Sequence, residues 1–379
     1  MRMKKLMIIA VAAIALAACS RTFETHEVAQ AQIGFNTWGE NLTKGRDQGS
    51  NTFATGDDFA VYGYKINTSN AKTTVFDGVA VELKSSGDWE YTPLRFWDTN
   101  PDITSYTFFA LSPASLNSEL ASHNAQTGEF TTNETITFAG NDNDVLAAEK
   151  KTVNHTGSKT YGTANDYETV ALVFHHGASL FDLKVKKHSN LANAKVEVTA
   201  IALENINKTG KFAISDAYNY AYKSTSNVPV FTWTEKSGAA RATYTNTSGV
   251  TSVNLPKTGN TPAEVSTAGV YLIQDLIVMP QTFRTEETTN ATDQVVKITY
   301  KITNTDPNEE IEYADVYFDL KEFDTTENDD TNTSATYIPG WEQGKHYVYT
   351  ITIDANVITF SGTISEWLDN AAGYHYLID

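Results

Sequence analysis

The sequence is poor in cysteine and has fewer basic than acidic residues. Cys19 is the one cysteine in 379 residues, which excludes an internal disulfide and any zinc or iron–sulfur site built from several thiolates. Lys and Arg number 28 against 46 Asp and Glu, a formal net charge of −18. Because DNA and RNA present a dense row of phosphates, such an acidic chain repels them, and the charge argues against nucleic-acid binding.

Catalytic and cofactor motifs are also missing. The sequence contains no HExxH, no GxSxG, no GxGxxG and no phosphate-binding loop. Two acid-rich stretches, 141–144 and 327–330, lack the ligand spacing and glycine of a calcium-binding loop, so we interpret both as solvated turns. His175 and His176 are neighbours on a predicted strand and face opposite ways, so they cannot ligate one metal. We interpret one of them as a core histidine bonded to backbone, and we expect no enzyme activity, no metal site and no cofactor.

The sequence has a single long apolar run, and it lies at the N-terminus. Residues 6–18 form a 13-residue apolar stretch, shorter than the roughly 20 residues that span a bilayer, behind three basic residues. This pattern predicts a secretory signal over residues 1–18, whose loss changes the net charge from −18 to −21. The sequence LAAC at 16–19 resembles the bacterial lipobox, which implies cleavage before Cys19 and acylation of that cysteine. The alternative is a plain signal peptide followed by an incidental cysteine.

What the sequence does contain is a pattern of short strands. Hydrophobic residues make up 41% of the chain and aromatic residues 11%, which is enough for a packed core. Short runs that alternate apolar with polar residues, separated by Gly, Asn, Asp, Ser and Thr, predict an all-β sandwich or barrel. The predicted strands are 59–66, 79–83, 106–111, 170–174, 180–185, 195–203, 269–273, 295–302, 313–320, 346–353 and 357–364.

The remaining segments read as two helices and several loops. Residues 116–122 and 144–151 are predicted to be helical. The length predicts two domains, and a polar stretch at 187–194 is the predicted boundary between them. The predicted long polar loops are 124–135, 152–166, 236–265 and 322–336.

Seven segments behind the lipobox are distinctive when taken together. They are WEYTPLRFW at 89–97, YTFFALSP at 106–113, NDVLAA at 143–148, VALVFHH at 170–176, DLIVMPQT at 275–282, WEQGKHYVYTI at 341–351 and ISEW at 364–367. In this order they resemble the fimbrillin family, the pilins of type V pili in Bacteroidales. The resemblance implies two transthyretin-like β-sandwich domains in tandem, carried to the outer membrane as a lipoprotein.

The resemblance also implies a route of assembly. An outer-membrane protease with trypsin-like specificity cuts after a basic residue in the first domain, which removes the first strand and opens a groove. A strand from another pilin subunit then fills the groove, and a fibre grows at the cell surface. The implied divisions are a signal peptide at 1–18, a tether with a removable strand at 19–46, a first sandwich at 47–190 and a second at 191–379.

Residues 28–60 agree with this scheme. Ile33 and Phe35 share one parity of an alternating run and are the candidates for the buried face of the removable strand. The polar stretch that follows contains Lys44 and Arg46, in the kind of exposed loop that proteases reach. We therefore predict cleavage between Arg46 and Asp47. The alternative is an ordinary loop that happens to contain an arginine.

The donor strand and the role within a fibre stay open. Residues 357–364 alternate well, and Tyr374, Tyr376 and Ile378 share one parity in the tail, so either piece could be the donor. The chain is interpreted first as a structural subunit of the fimbria, next as a tip or accessory adhesin that binds glycan or host protein. An uncut anchor subunit and a surface polysaccharide-binding lipoprotein are further alternatives. Tyrosines at 218, 220 and 222 suit either sugar stacking or packing within a sheet.

The lipid anchor gives a first prediction. Cells fed labelled palmitate should label this protein, and Cys19→Ala should abolish the label because the acylated sulfur and amino group belong to that residue. The measurement is fluorography of the immunoprecipitated protein. Persistent label on the Cys19→Ala protein would refute the assignment.

Overall fold

The computed structural model describes the chain in eleven stretches, and within them it is built almost wholly from strands. These stretches contain 27 strands, one short α-helix and one 3-10 turn. No helix in them is long and apolar enough to cross a membrane. The described residues are 31–37, 53–138, 144–154, 169–215, 228–237, 242–245, 263–283, 293–304, 309–324, 335–354 and 358–366.

The first thirteen strands and the α-helix lie before residue 188. They are β1 Phe35–Thr37, β2 Asp58–Asn67, β3 Lys72–Leu83, β4 Trp89–Tyr91, β5 Ile103–Ser112, α1 Leu116–Glu119, β6 Leu120–Asn124, β7 Glu129–Thr132, β8 Ile136–Thr137, β9 Leu146–Ala148, β10 Lys151–Asn154, β11 Val170–Leu172, β12 Phe174–His176 and β13 Ser179–Lys187.

Fourteen further strands follow the 3-10 turn at Ser189–Leu191. They are β14 Lys195–Ile206, β15 Thr209–Ile214, β16 Phe231–Glu235, β17 Ala242–Thr245, β18 Ala263–Glu264, β19 Val270–Val278, β20 Gln281–Thr282, β21 Val295–Thr303, β22 Glu310–Asp319, β23 Glu322–Asp324, β24 Ala335–Tyr337, β25 Gly340–Trp341, β26 Lys345–Ile353 and β27 Ile358–Glu366.

The predicted strands are confirmed, whereas the two predicted helices are wrong except for one turn. Every predicted strand overlaps an observed one. The predicted helix at 116–122 shrinks to a single turn, α1, and the chain continues as β6. The predicted helix at 144–151 is instead strand β9 and the start of β10. Residues 145–148 are all buried because this sheet is covered on both faces, with Val145 and Ala147 in one cluster and Leu146 and Ala148 in another. Such a run carries no strand alternation. Short strands also occupy parts of all four predicted loops.

The first half of the chain is organised around one sheet that is covered on both faces. Its order is β12-β9-β5-β2-β3-β4, with β10 also pairing with β5. Along β2, Phe59 and Val61 point into one hydrophobic cluster, while Ala60 and Tyr62 point into another. Because both faces of this sheet are buried, its central strands are nearly continuous apolar runs. The N-terminal residues 31–37 contribute to the first of these two clusters.

The second cluster lies between this sheet and a five-stranded sheet drawn from both halves of the chain. That sheet has the order β16-β15-β7-β6, with β8 also pairing with β15. Phe130 of β7 packs edge-on against Tyr62, with ring centroids 4.7 Å apart. Phe212 of β15 packs against Phe231 and its neighbour Trp233. The two halves are therefore joined by shared strand pairing as well as by the chain itself.

The third cluster joins two sheets of the second half. One sheet has the order β19-β13-β26-β27-β23-β24, and the other has β17-β14-β21-β22 with β18 pairing with β14. Both supply buried side chains to one core, in which Phe181 of β13 packs against Tyr349 of β26 at 5.2 Å. The Trp341 indole donates to the Tyr349 hydroxyl at 3.2 Å, so the buried polar atoms of this core have partners in each other. Strand β13 ends where the predicted boundary at 187–194 begins, yet it pairs with β19 and β26, which follow that boundary. The domain boundary stays a prediction.

Candidate functional site

The N-terminal segment, residues 31–37, is the middle strand of a small layer that covers the central sheet. On one side it runs antiparallel to residues 95–97: the Ile33 amide donates to the Arg95 carbonyl and the Trp97 amide to the Ala31 carbonyl, both at 2.9 Å. On the other side β1 runs parallel to β11, with Phe35 opposite Val170 and Thr37 opposite Leu172. The segment is therefore bonded to a neighbour along each of its edges.

Two side chains of the N-terminal segment fill the core beneath this layer. Ile33 is fully buried and Phe35 is 5% exposed, whereas Asn36, the next residue along the strand, is exposed. These are the two residues whose parity indicated a buried face. That this strand is the removable one stays a prediction.

Phe35 lies in a pocket of four aromatic rings. Its ring centroid is 5.4 Å from that of Phe76, 5.7 Å from Tyr91, 5.9 Å from Phe108 and 6.2 Å from Phe59. All four contacts are edge-on, an arrangement worth about 0.5–1.5 kcal/mol per pair beyond the burial itself. The pocket is therefore shaped for a large apolar or aromatic side chain at this position.

Tyr91 ties the N-terminal segment to the central sheet. Its hydroxyl donates to the Ile33 carbonyl at 2.7 Å and accepts from the Arg95 amide at 3.2 Å. Burial raises the pKa of Tyr91, so its phenol keeps the proton that this donation requires. Tyr91, Arg95 and Trp97 all belong to the segment at 89–97 that the resemblance singled out. Their contact with residues 31–37 could not be predicted, because no local sequence pattern indicates it.

Removing the N-terminal segment would leave a seat for one strand. Residues 95–97 and 170–172, which we call the seat walls, would stand two strand spacings apart, or about 9.6 Å. The Arg95 carbonyl, the Trp97 amide and the Val170 amide would each lose a backbone partner. Loss of each buried apolar side chain would cost about 1.5–3 kcal/mol. An incoming strand with the same alternation would restore both the hydrogen bonds and the apolar contacts.

The chain is anchored again soon after the N-terminal segment. Phe53 is buried, and its ring lies 5.3 Å from Trp89 and 5.4 Å from Phe174. The predicted cleavage site at Arg46 and Asp47 falls between this anchor and the strand, outside the described residues. Cys19 also lies outside them. A cut at 46/47 would therefore free the strand while Phe53 holds the new N-terminal region in place.

The two donor candidates differ in what the structure describes. Strand β27 pairs antiparallel with β26 along its whole length, from Ile353 opposite Ile358 to Lys345 opposite Glu366. Phe360 of β27 packs against Tyr349 with ring centroids 5.3 Å apart. The first candidate, 357–364, is thus largely part of its own sandwich. The tail with Tyr374, Tyr376 and Ile378 lies outside the described residues.

The adjacent histidines make separate contacts with carboxylates. His175 lies 2.8 Å from Glu149, and His176 lies 2.8 Å from Asp144. His176 is the buried histidine of the two, and its Nδ1 pairs with the buried Asp144 carboxylate. A backbone bond to its ring stays a prediction. Asp144 is not the solvated turn residue we expected. Across the described stretches, no group of three or more His, Cys, Asp or Glu side chains could hold a metal ion.

A cleft of about 660 Å³ lies where β16 approaches β20 and β25. Trp233 and Trp341 contribute to its lining, and Glu342 is exposed at its edge. The Gln343 side chain accepts from the Phe231 amide at 2.6 Å and donates to the Pro229 carbonyl at 3.1 Å, so it pairs with the chain as a peptide group would. Sequence reasoning missed this cleft because its walls come from three distant segments. The tyrosines at 218, 220 and 222 lie outside the described residues.

Comparison with known proteins gives the family. A family model described as fimbrillin-like matches residues 46–367, which is most of the chain. A fimbrial protein from Bacteroides vulgatus is 20% identical, with a TM-score of 0.53 over 89% of this chain and 99% of that chain. The tip fimbrial protein Mfa3 from Porphyromonas gingivalis, truncated at its C-terminus, is 10% identical, with a TM-score of 0.36 over 89% of this chain and 100% of that chain.

At these identities the likeness to solved structures concerns the fold alone. A search of curated proteins finds no match. The family model covers far more than half of the sequence and includes the seat walls, the anchor Phe53 and all of β27. The resemblance inferred from the sequence is confirmed, and the chain belongs to the fimbrillin-like family.

Proposed function

We propose that the protein is a structural subunit of a cell-surface fimbria, exported as a lipoprotein, cut after Arg46 and assembled by strand exchange. The family implies a cell-surface fimbria, other fimbrial subunits as partners and a non-enzymatic structural role. The proposal of cleavage and strand exchange rests on the position of residues 31–37. They form the middle strand of the layer that covers the central sheet. Outer-membrane lipid before the cut, and a trypsin-like protease at the cut, are the further partners.

Strand exchange follows from what the cut would change. Before the cut, the N-terminal segment is tethered at its end to the body, and local rebinding outcompetes any other strand. After the cut, the segment is a separate peptide that leaves by dissociation, and the seat accepts a strand from another subunit. Because each subunit gives one strand and receives one, this head-to-tail contact does not close on itself and yields an open fibre.

The C-terminal tail is the better donor of the two candidates. Strand β27 would have to abandon its nine-residue pairing with β26 and its contact with the third cluster, and this cost argues against 357–364 as the donor. Tyr374, Tyr376 and Ile378 alternate with the same spacing as Ile33 and Phe35. We therefore assign donation to the tail, with one of these side chains occupying the Phe35 pocket.

We also propose that the fold consists of two transthyretin-like sandwiches in tandem, over 47–190 and 191–379. The third hydrophobic cluster lies between two sheets drawn mainly from the second half and supports the second sandwich, although β13 joins it from before residue 190. The doubly covered sheet supports the first. The shared sheet with β7 and β15 then serves as the junction between them.

A tip or accessory adhesin is the alternative role, and one observation favours it. The cleft lined by Trp233 and Trp341 is of a size that suits a small ligand such as a glycan unit or a short peptide of a host protein. A tip subunit needs the seat but no donor. The same cleft would serve a surface polysaccharide-binding lipoprotein, which needs neither.

The cut itself can be tested on the purified, signal-free protein. Limited treatment with a trypsin-like protease should yield a new N-terminus at Asp47 and a ladder of polymers, because only the cut chain can release its strand. N-terminal sequencing and denaturing gels without boiling measure both. Arg46→Ala should remove the Asp47 terminus. A chain that stays intact and monomeric after prolonged treatment would contradict the proposal.

Phe35 should set how long the cut strand is retained. Phe35→Ala empties a pocket of four rings, and buried Phe→Ala changes cost about 3–5 kcal/mol, so the uncut protein should unfold at lower urea concentration. After the cut, the fragment that carries the N-terminal segment should dissociate faster from the body of the protein. Gel filtration detects the separated fragment. The control Asn36→Ala, at the exposed neighbouring position, should change neither. Equal fragment retention in both variants would argue against the seat.

Deletion of residues 370–379 separates the stalk role from the tip role. If the tail donates, the shortened chain should still be cut at Arg46 but should form no polymer by itself. Added to intact subunits, it should join a polymer once and stop its growth, since it accepts a strand but gives none. Normal polymer growth from the shortened chain alone would move the donor elsewhere.

A further inference from the structure

Two exposed apolar side chains lie on the segment that forms one seat wall. Leu94 is 48% exposed and Phe96 is 43% exposed. They are two residues apart and so point the same way, away from Trp97, which is buried. Arg95 also turns inward, where its Nε donates to the Val75 carbonyl at 3.2 Å. Among the described residues, Ile311 and Tyr271 are the other large apolar side chains with comparable exposure.

The same segment carries no negative charge. From Thr92 to Phe96 it contains no acidic residue and one base, Arg95, in a chain with a net charge of −18. Two copies of such an acidic body repel each other, and screening at physiological salt acts over about 8 Å. Close approach of two copies is therefore least costly where the surface is apolar or basic. Thr92 and Pro93 are exposed as well and extend this neutral surface.

We propose that Thr92, Pro93, Leu94 and Phe96, which we call the apolar strip, dock the body of a second copy of this chain. This rests on the proposed strand exchange, and the second copy is the subunit whose strand occupies the seat. The strip is continuous with the seat, because Arg95 and Trp97 bond to the N-terminal segment while Leu94 and Phe96 alternate with them on the outer side. A strand that replaces residues 31–37 brings its own subunit to this side.

The apolar strip would add a selectivity for the donor subunit that the seat alone does not provide. The seat contacts two inward side chains and the backbone of the strand that occupies it. Many alternating strands would satisfy these two requirements. Contact between the strip and the neighbouring body adds a second requirement, so that the donor strand must come from a subunit with a matching surface. The strip is thus a specificity surface for fimbrial subunits, beside the site that binds their strand.

The experiment compares assembly with strand binding. Full-length Leu94→Ser/Phe96→Ser protein is cut with the trypsin-like protease, and polymer growth is followed on gels. In parallel, a synthetic peptide of residues 367–379 carrying a fluorophore is titrated onto the cut protein. The double variant should polymerise about tenfold more slowly and bind the peptide within twofold of the unsubstituted protein. The control Ile311→Ser, which removes an apolar side chain 54% exposed elsewhere, should polymerise normally.

Each other outcome has a distinct meaning. Normal polymerisation of the double variant would overturn the role of the strip and leave strand exchange intact. A double variant that polymerises normally but melts earlier before the cut would show that the chain's own residues 19–30 cover the strip, which also overturns the proposal. If the unsubstituted protein neither polymerises nor binds the peptide, the strand-exchange function fails first, and the strip's role fails with it.

Discussion

The insertion of Phe35 among four aromatic rings is the contact on which the first half of the molecule depends. It fills the centre of a core whose other walls come from β2, β3, β4 and β5, so the central sheet is complete only with a side chain from outside it. Phe35 itself comes from the seven-residue segment 31–37, whereas its four partners lie between residues 59 and 108. Under the proposed strand exchange, stability and assembly would be linked, since a neighbour's strand would take the place of the strand that completes the subunit.

Because the central sheet is covered on both faces, the proposed loss of residues 31–37 would uncover only one of them. The face toward β7 and β15 is closed by the chain's own strands, which come from both halves. The other face is closed by residues 31–37, by the seat walls and by Phe53. A loss confined to the second face would leave the shared sheet and the third cluster untouched.

Local alternation in the sequence predicted the strands and their buried faces. Contacts between distant residues could mostly not be predicted. Strands such as β5 and β26 were predictable because their side chains alternate or run apolar between clear turns. The parity of Ile33 and Phe35 likewise indicated their buried face. The helix expected at 144–151 failed because β9 is buried on both sides. The partners of Phe35, and the carboxylate beside His176, could not be predicted, since contacts across more than twenty residues leave no periodic trace.

The mixed pairing of the N-terminal segment has a consequence for the geometry of a fibre. One seat wall bonds to it in the antiparallel pattern and the other in the parallel pattern, and the two patterns space their hydrogen bonds differently. A strand that entered in the reverse direction would mismatch both walls at once. Every joint built on this seat would therefore have the same orientation, and the resulting filament would have two chemically different ends: one with an open seat, the other with an unused tail.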